Sequence, residues 1–197
     1  EYRGHRVISM PPASSGGLTL ALTMNILEGY DMRSLGWRSV ESLHLMAEAS
    51  RRAFADRNYF LGDADFVKVP RERFLSEQYA ARQRATISRT RATPSSEIRP
   101  GLGETVEGNQ TTHFSVVDAR GNAVALTTTL NELFGSAVTV SGAGFLLNDE
   151  MDDFTSKPGA PNMFGLVQGE ANAIAPGKRM LSAMTPTIVL DGGGKPL

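Results

Sequence analysis

Two adjacent threonines, Thr111 and Thr112, stand where a polar stretch ends and a strand-like pattern begins. A threonine hydroxyl is a weak nucleophile unless a base accepts its proton, and a threonine at a chain terminus carries that base as its own α-amine. Cleavage of the bond between Gln110 and Thr111 would create such a terminus. The alternative is that both threonines are β-forming residues that open a strand, and the pattern by itself favours this structural interpretation.

The segments on either side of Thr111 differ in pattern. Residues 87–110 are rich in Thr, Ser, Pro, Gly and Glu and have no apolar period, which is typical of an exposed linker. Residues 112–118 and 122–129 alternate like strands and flank the short turn 119–121, which predicts a β-hairpin. Cleavage would therefore leave the amine of Thr111 at the start of a strand that we expect to be buried.

The sequence before the linker predicts two helices. The first opens at 14–17 and ends at Glu28 and Gly29, because apolar residues recur at every fourth position, as Leu18, Leu22 and Ile26. The second has Ser39 as a plausible N-cap. Its apolar stripe is expected to pack in the core and consists of Leu43, Met46, Ala47, Ala53 and Phe54.

The second half of the chain predicts further strands at 144–147 and 184–190. Between them, residues 149–177 are rich in Pro, Gly, Asn and Asp, which indicates a long irregular loop. Loops of this kind often carry functional residues.

Composition excludes several classes of function. The 197 residues are 41% hydrophobic, enough for one sizeable core, and 20 basic against 21 acidic residues give a net charge of -1. Such a balance offers no field for nucleic acid or an anionic membrane, and the nearly apolar run 18–27 is shorter than the ~20 residues of a membrane span. The chain has no cysteine, and its three histidines lack metal-ligand spacing, so we expect neither a metal nor a cofactor.

The stretch NQTTHFSVVD at 109–118 resembles the processing site of gamma-glutamyltranspeptidases. Similar family stretches occur in compatible order at 10–17, 55–57, 61–68, 94–100, 151–154 and 176–179. The resemblance implies an α+β fold, an αββα sandwich of the N-terminal nucleophile hydrolase type that is incomplete in this chain. It also implies a precursor that cuts itself. Residues 1–110 would be the C-terminal part of the large subunit, and 111–197 the N-terminal part of the small subunit.

The resemblance also implies the residues of the site. Thr111 would attack the γ-glutamyl amide of glutathione or a related compound and form an ester, which water or an amino acid or dipeptide acceptor resolves. Thr129 matches the family threonine that hydrogen-bonds near the nucleophile. The substrate's α-amino group would be held by Asn131, Glu150 and Asp153, and two carboxylates with an amide oxygen suit an ammonium ligand. Ser182 matches a serine that binds the α-carboxylate.

Two positions depart from the family pattern. Ala183 stands where the family carries a second serine, so one hydroxyl for the α-carboxylate is missing. The loop 154–164 resembles the lid over the glutamyl pocket, and Phe164 stands where some relatives carry tyrosine. A phenylalanine ring can still cover the pocket, but it cannot donate the hydrogen bond that holds a lid shut.

Other interpretations remain open at this point. One is an acylase of the same fold that acts on glutaryl or cephalosporin side chains, for which Ala183 offers mild support. Another is an inert, unprocessed fragment, because both ends look cut and neither the arginine that pairs with the α-carboxylate nor the two oxyanion glycines can be placed. We expect little turnover from the fragment alone. The resemblance further implies a periplasmic or extracellular location.

Overall fold

A computed structural model describes residues 1–98, 111–163 and 165–197. Gln110 of the predicted cleavage bond and Phe164 of the predicted lid lie outside these ranges. The helices are α1 Gly16–Glu28, α2 Val40–Phe60, α3 Arg71–Leu75 and α4 Glu77–Arg84, and the strands are β1 Arg6–Ile8, β2 Thr112–Val117, β3 Ala123–Thr128 and β4 Ile188–Leu190. Both helices predicted from the apolar periods are confirmed.

The hydrophobic core forms around α1. Its apolar face packs against α2, α3 and α4, and the fully or nearly fully buried cluster consists of Leu18, Leu22, Ile26, Ala49, Ala53, Leu61, Phe74, Ala80 and Leu181. Leu181 is the member of this cluster that follows Thr111 in the chain. Residues on both sides of the predicted cut therefore contribute to one core.

The buried face of α2 differs from the predicted one. Ser39 caps the helix as predicted, because its Oγ accepts a hydrogen bond from the Ser42 N–H at 3.1 Å. The predicted apolar stripe is wrong at most positions: Leu43 is 52%, Met46 48% and Phe54 36% exposed. The face turned inward carries charged residues as well as Leu45, Ala49 and Ala53. Glu48 and Arg52 can be buried there because they pair with each other at 2.7 Å.

The predicted hairpin is confirmed. β2 and β3 are antiparallel, and their register runs from Thr112 opposite Thr128 to Val117 opposite Ala123. The Asp118 carboxylate holds the turn by accepting the N–H groups of Arg120 at 2.8 Å and Asn122 at 2.9 Å. The expected burial of β2 is wrong for this chain, since all six of its residues are exposed. Within the described ranges, β3 is the strand that pairs with it, and a two-stranded sheet has no layer of its own to cover its faces.

The remaining strands follow the predictions in part. β4 occupies the end of the predicted strand 184–190 and pairs antiparallel with β1, a partner that the sequence did not indicate. Residues 144–147 are not a strand and contribute an isolated bridge between Thr139 and Leu146. The irregular loop 149–177 is confirmed, with short 3-10 helices at Glu150–Asp153 and Glu170–Asn172. None of the helices in the described ranges has both the length and the apolar character needed to span a bilayer.

Candidate active site

The predicted nucleophile lies beside Thr129 at the open end of the hairpin. Because Thr112 pairs with Thr128, the residue before β2 faces the residue after β3. The hydroxyl of Thr111 points at that of Thr129 in a long contact of 3.4 Å. Thr129 Oγ1 also accepts the N–H of Asn131 at 2.9 Å. The backbone amide thus orients the Thr129 hydroxyl, which leaves a lone pair for the hydroxyl proton of Thr111.

Asn131 connects this end of the hairpin to the acidic segment 149–153. Its φ of +75° is left-handed, a conformation that asparagine tolerates better than most residues. The Asp149 carboxylate accepts the N–H of Glu132 at 3.0 Å, and the Asp149 N–H donates to the carbonyl of Leu130 at 3.2 Å. The structure therefore brings Asn131 to the start of the turn that carries Glu150 and Asp153.

Glu150 and Asp153 lie half-buried on one 3-10 turn. Burial, together with the negative charge of Glu150, raises the pKa of Asp153 to about 6, although Arg57 opposes the shift. Burial and the nearby Asp149 also raise the pKa of Glu150. The two carboxylates are withdrawn from water and lie near other negative charges, and the charge of Arg57 does not offset this for Asp153. A cation placed between them would relieve this, so the segment suits an ammonium group.

Residues that precede the predicted cut hold Ser182 in place. Its carbonyl accepts both the N–H and the Oγ hydrogen of Ser15, each at 2.8 Å. Buried Arg57 donates to Ser15 Oγ at 3.1 Å and to the carbonyl of Leu181 at 3.4 Å. Burial lowers the pKa of Arg57 to about 10, and the negative charge of Asp153 opposes this. The guanidinium of Arg57 therefore holds the backbone of residues 181 and 182, directly at Leu181 and through Ser15 at Ser182.

A second contact across the cut joins Asp63 to Arg179. Asp63 is 1% exposed, and its carboxylate accepts the Arg179 backbone N–H and Nε, each at 2.9 Å. The hydrogen bonds from Arg179 hold the pKa of Asp63 far below its usual range. The pair fixes the chain three residues before Ser182. The sequence placed Asp63, Arg57 and Arg179 in family-like stretches but assigned them no role.

His113, two residues after Thr111, has hydrogen-bond partners within the hairpin. The Nδ1 of His113 is 2.8 Å from Thr127 Oγ1 and its Nε2 is 3.5 Å from Ser115 Oγ, so both ring nitrogens are occupied, as a structural histidine requires. Ala183 is exposed beside Ser182. In the ranges that the structure describes, no three His, Asp or Glu side chains are grouped so that they could hold a metal ion.

The chain is similar to a solved acylase structure and matches the profile of one protein family. The cephalosporin acylase from Bacillus halodurans superposes with a TM-score of 0.78 and 27% identity, over 100% of this chain and 32% of its own. The α+β fold is thus that of the N-terminal nucleophile hydrolases, as predicted. The profile of the Gamma-glutamyltranspeptidase family matches residues 1–197, and the chain belongs to this family.

Two curated relatives show how much of a family member this chain represents. A glutathione hydrolase proenzyme from Pseudomonas sp. (strain A14) is 56% identical over 193 residues, which are 98% of this chain and 33% of the relative. The Acylase ACY 1 proenzyme from Pseudomonas sp. (strain SE83) is 42% identical over 192 residues, 98% of this chain and 32% of the relative. The chain spans about a third of the length of the curated relatives that it matches.

Proposed function

We propose that this chain is part of a glutathione hydrolase and gamma-glutamyltransferase, made as a precursor that cuts itself between Gln110 and Thr111. The observation that carries the proposal is the contact between the hydroxyls of Thr111 and Thr129 at 3.4 Å, at the start of a strand. Membership of the gamma-glutamyltranspeptidase family and the glutathione hydrolase proenzyme among its relatives support it.

The reaction uses the new terminus that cleavage creates. The α-amine of Thr111 accepts the proton of its own hydroxyl while Oγ1 attacks the γ-carbonyl carbon of the donor. The bond to the departing amine breaks, that amine takes the proton, and a γ-glutamyl-threonine ester remains. Water or an acceptor amine then attacks the ester and returns the proton to Oγ1. Before this proton transfer, Thr129 Oγ1 accepts the hydrogen bond of the Thr111 hydroxyl and so holds Thr111 Oγ1 in one rotamer.

The donor is held by its α-carbon substituents. Asn131, Glu150 and Asp153 bind the α-ammonium, and Ser182 binds the α-carboxylate. The raised pKa of Asp153, about 6, supports this assignment, since it results from burial and the nearby charge of Glu150, and a bound ammonium group would offset both. The loop 154–163, the described part of the predicted lid, would exclude water during ester formation.

Processing would yield two subunits that stay together. Residues 1–110 would end the large subunit and 111–197 would begin the small one. The core that includes Leu181, the hydrogen bonds from Ser15 to Ser182 and the pair of Asp63 and Arg179 support retention of both pieces after the cut. We further propose that the enzyme works in the periplasm or outside the cell.

The test uses the full-length protein. Intact mass should reveal two species that meet at Gln110 and Thr111, and a chromogenic γ-glutamyl anilide should release its anilide. Thr111→Ala should leave a single uncut chain without turnover. A processed wild-type protein that releases no anilide would exclude this function, and an uncut wild-type chain would favour the inert interpretation.

A related acylase is the second candidate function. Ala183 supplies no second hydroxyl for an α-carboxylate, and the Acylase ACY 1 proenzyme is 42% identical, compared with 56% for the glutathione hydrolase. A glutaryl donor has no α-ammonium for Asp153 to bind. Faster turnover of a glutaryl anilide than of the γ-glutamyl anilide would therefore favour the acylase.

A further inference from the structure

The side chain of Asn172 lies between the two halves of the proposed glutamyl pocket. It is fully buried, with 0% of its surface exposed. Its Nδ2 donates to the carbonyl of Asp153 at 2.6 Å and to Gln168 Oε1 at 2.7 Å, and its Oδ1 accepts the N–H of Leu181 at 3.0 Å. One amide group thus joins the backbone of the proposed ammonium ligand to the peptide that leads into Ser182.

We infer that Asn172 is a positioning residue that sets the distance between the α-ammonium and the α-carboxylate subsites. The inference rests on the proposed function, because Asp153 and Ser182 are the ligands of that pocket. Asn172 does not touch the donor. It acts through the backbone of residues 153 and 181.

The backbone around Asn172 is held by hydrogen bonds of its own, so the side-chain amide can fix the positions of the groups that it contacts. Its carbonyl accepts the N–H of Thr155 at 2.9 Å, and the preceding turn is anchored where the Gly169 N–H donates to the carbonyl of Asn58 at 2.9 Å, near the end of α2. Lys178 Nζ donates to the carbonyls of Ala171 and Ala173 at 2.9 and 2.8 Å. Asn172 is therefore fixed to the helical layer as well as to both subsites.

The peptide before Ser182 is held from two sides. Arg57 donates to the carbonyl of Leu181, and Asn172 accepts its N–H. Gln168 also approaches the carbonyl of Asp153, with its Nε2 at 3.5 Å. Among the described residues, Asn172 is the one whose side chain is hydrogen-bonded to both Asp153 and Leu181.

The distance between the α-ammonium and α-carboxylate subsites matters only for a ligand that occupies both. A γ-glutamyl group carries its ammonium and its carboxylate on the same carbon, so both subsites must be in register to bind it. A ligand without the ammonium uses the carboxylate subsite and does not depend on that register. Loss of Asn172 should therefore weaken γ-glutamyl binding selectively, whereas general damage to the fold would weaken both kinds of ligand.

The experiment compares L-glutamate with glutarate, which lacks the ammonium, as competitive inhibitors of the processed full-length enzyme. In Asn172→Leu, which keeps the size of the side chain but none of its hydrogen bonds, we expect the KM for γ-glutamyl anilide and the Ki of glutamate to rise about tenfold. The Ki of glutarate and kcat should change less than about threefold. Ser42→Ala is the control, because it removes a buried hydrogen bond from α2, between the Ser42 hydroxyl and the carbonyl of Ser39, and leaves all the contacts of Asn172 in place. It should change the ratio of the two Ki values little.

Each outcome decides the inference. A rise in Ki confined to glutamate supports it, whereas parallel rises for both inhibitors, or no rise, overturn it. If Asn172→Leu fails to fold or to process, Asn172→Ser, which is too short to span the two contacts, is judged by the same ratio. A wild-type enzyme without γ-glutamyl activity would remove the proposed function and this inference with it, and an active one with an unchanged ratio in the variants would remove the inference alone.

Discussion

Among single residues, the proposed site depends on hydroxyl and carboxylate groups whose orientation or pKa is set by their neighbours. Thr129 is oriented by the Asn131 amide at 2.9 Å, so its oxygen accepts from Thr111 in a defined direction. Asp153 is partly withdrawn from water beside a second carboxylate, and its pKa is about 6. Both features can be tested by changes that keep the shape of the side chain.

The Thr129 contact predicts a slower nucleophile when the hydroxyl is lost. Thr129→Val keeps the branched shape but removes the acceptor for Thr111 and for the Asn131 N–H, and we expect roughly tenfold slower acylation. The measurement is the pre-steady-state burst with a γ-glutamyl anilide. Thr128→Val, on the exposed neighbouring position of β3, is the control. Equal rates for the two variants would contradict the role of Thr129.

The pKa of Asp153 predicts how donor binding depends on pH. In the proposed site the carboxylate form of Asp153 binds the ammonium group of the donor. With a raised pKa of about 6, this form is present above pH 6 and is lost as the pH falls through that value. The kcat/KM for γ-glutamyl anilide should therefore decrease below pH 6 mainly through KM. Asp153→Asn should raise KM at pH 7 and remove this part of the pH dependence. A wild-type KM that stays constant from pH 7 to pH 5 would refute the assignment.

Among the secondary-structure elements, α2 carries a buried ionic pair, Glu48 and Arg52, that binds the segment 86–93. Glu48 pairs with Arg52 and accepts the Thr93 hydroxyl at 2.6 Å, and Arg52 donates to the carbonyl of Thr86 at 2.9 Å. Burial of Glu48 would raise its pKa, but the hydrogen bonds from Thr93 and Arg52 outweigh it and lower the pKa to about 2. The segment 86–93 is thus held on the helix shortly before the predicted cut.

The ionic pair on α2 predicts a loss of stability when its carboxylate is removed. Glu48→Gln leaves buried Arg52 without its counter-charge and should lower the free energy of unfolding by about 3 kcal/mol at pH 7. Because the folded pKa is depressed, the wild-type contribution is present above pH 4.5 and is lost as the pH falls toward 2. Chemical denaturation at pH 7 and pH 3 should therefore give a smaller difference at pH 3. Glu41→Gln, from the exposed pair with Arg89, should change stability by less than ~1 kcal/mol.

At the scale of the whole molecule, residues before and after Thr111 form one body. Leu181 packs among the helices, and the Ser182 segment is held by Ser15 and Arg57. Asp63 is buried, and Arg179 neutralises it from the other side of the cut. Cleavage removes one peptide bond but none of these contacts.

The Asp63 contact predicts that subunit association depends on Arg179. Arg179→Leu removes the guanidinium and leaves the buried Asp63 carboxylate with backbone N–H donors but without its counter-charge, which is more costly than losing an exposed pair. After processing, the two pieces of the variant should separate at a denaturant concentration at which the wild-type pieces still elute together in size-exclusion chromatography. Arg120→Leu in the exposed hairpin turn is the control. Identical elution of the Arg179→Leu and wild-type proteins would contradict this prediction.

Local features of this protein could be predicted from the amino-acid sequence alone. The turn at 119–121 defines the hairpin and so places Thr111 opposite Thr129, and helical periods and Ser39 locate α1 and α2. These depend on neighbours in sequence, whose geometry follows from chain stereochemistry. Motifs before and after the linker also predicted the family.

The contacts between segments that are distant in the sequence could be read from the folded chain alone. It turned the charged residues of α2 inward, paired β1 with β4, left β2 exposed in this chain and set Asn172 between Asp153 and Leu181. An isolated asparagine in an irregular loop has no period that reveals its partners. Its role depends on three hydrogen bonds whose partners include residues 19 positions before it and nine after it, and only the folded chain brings these groups together.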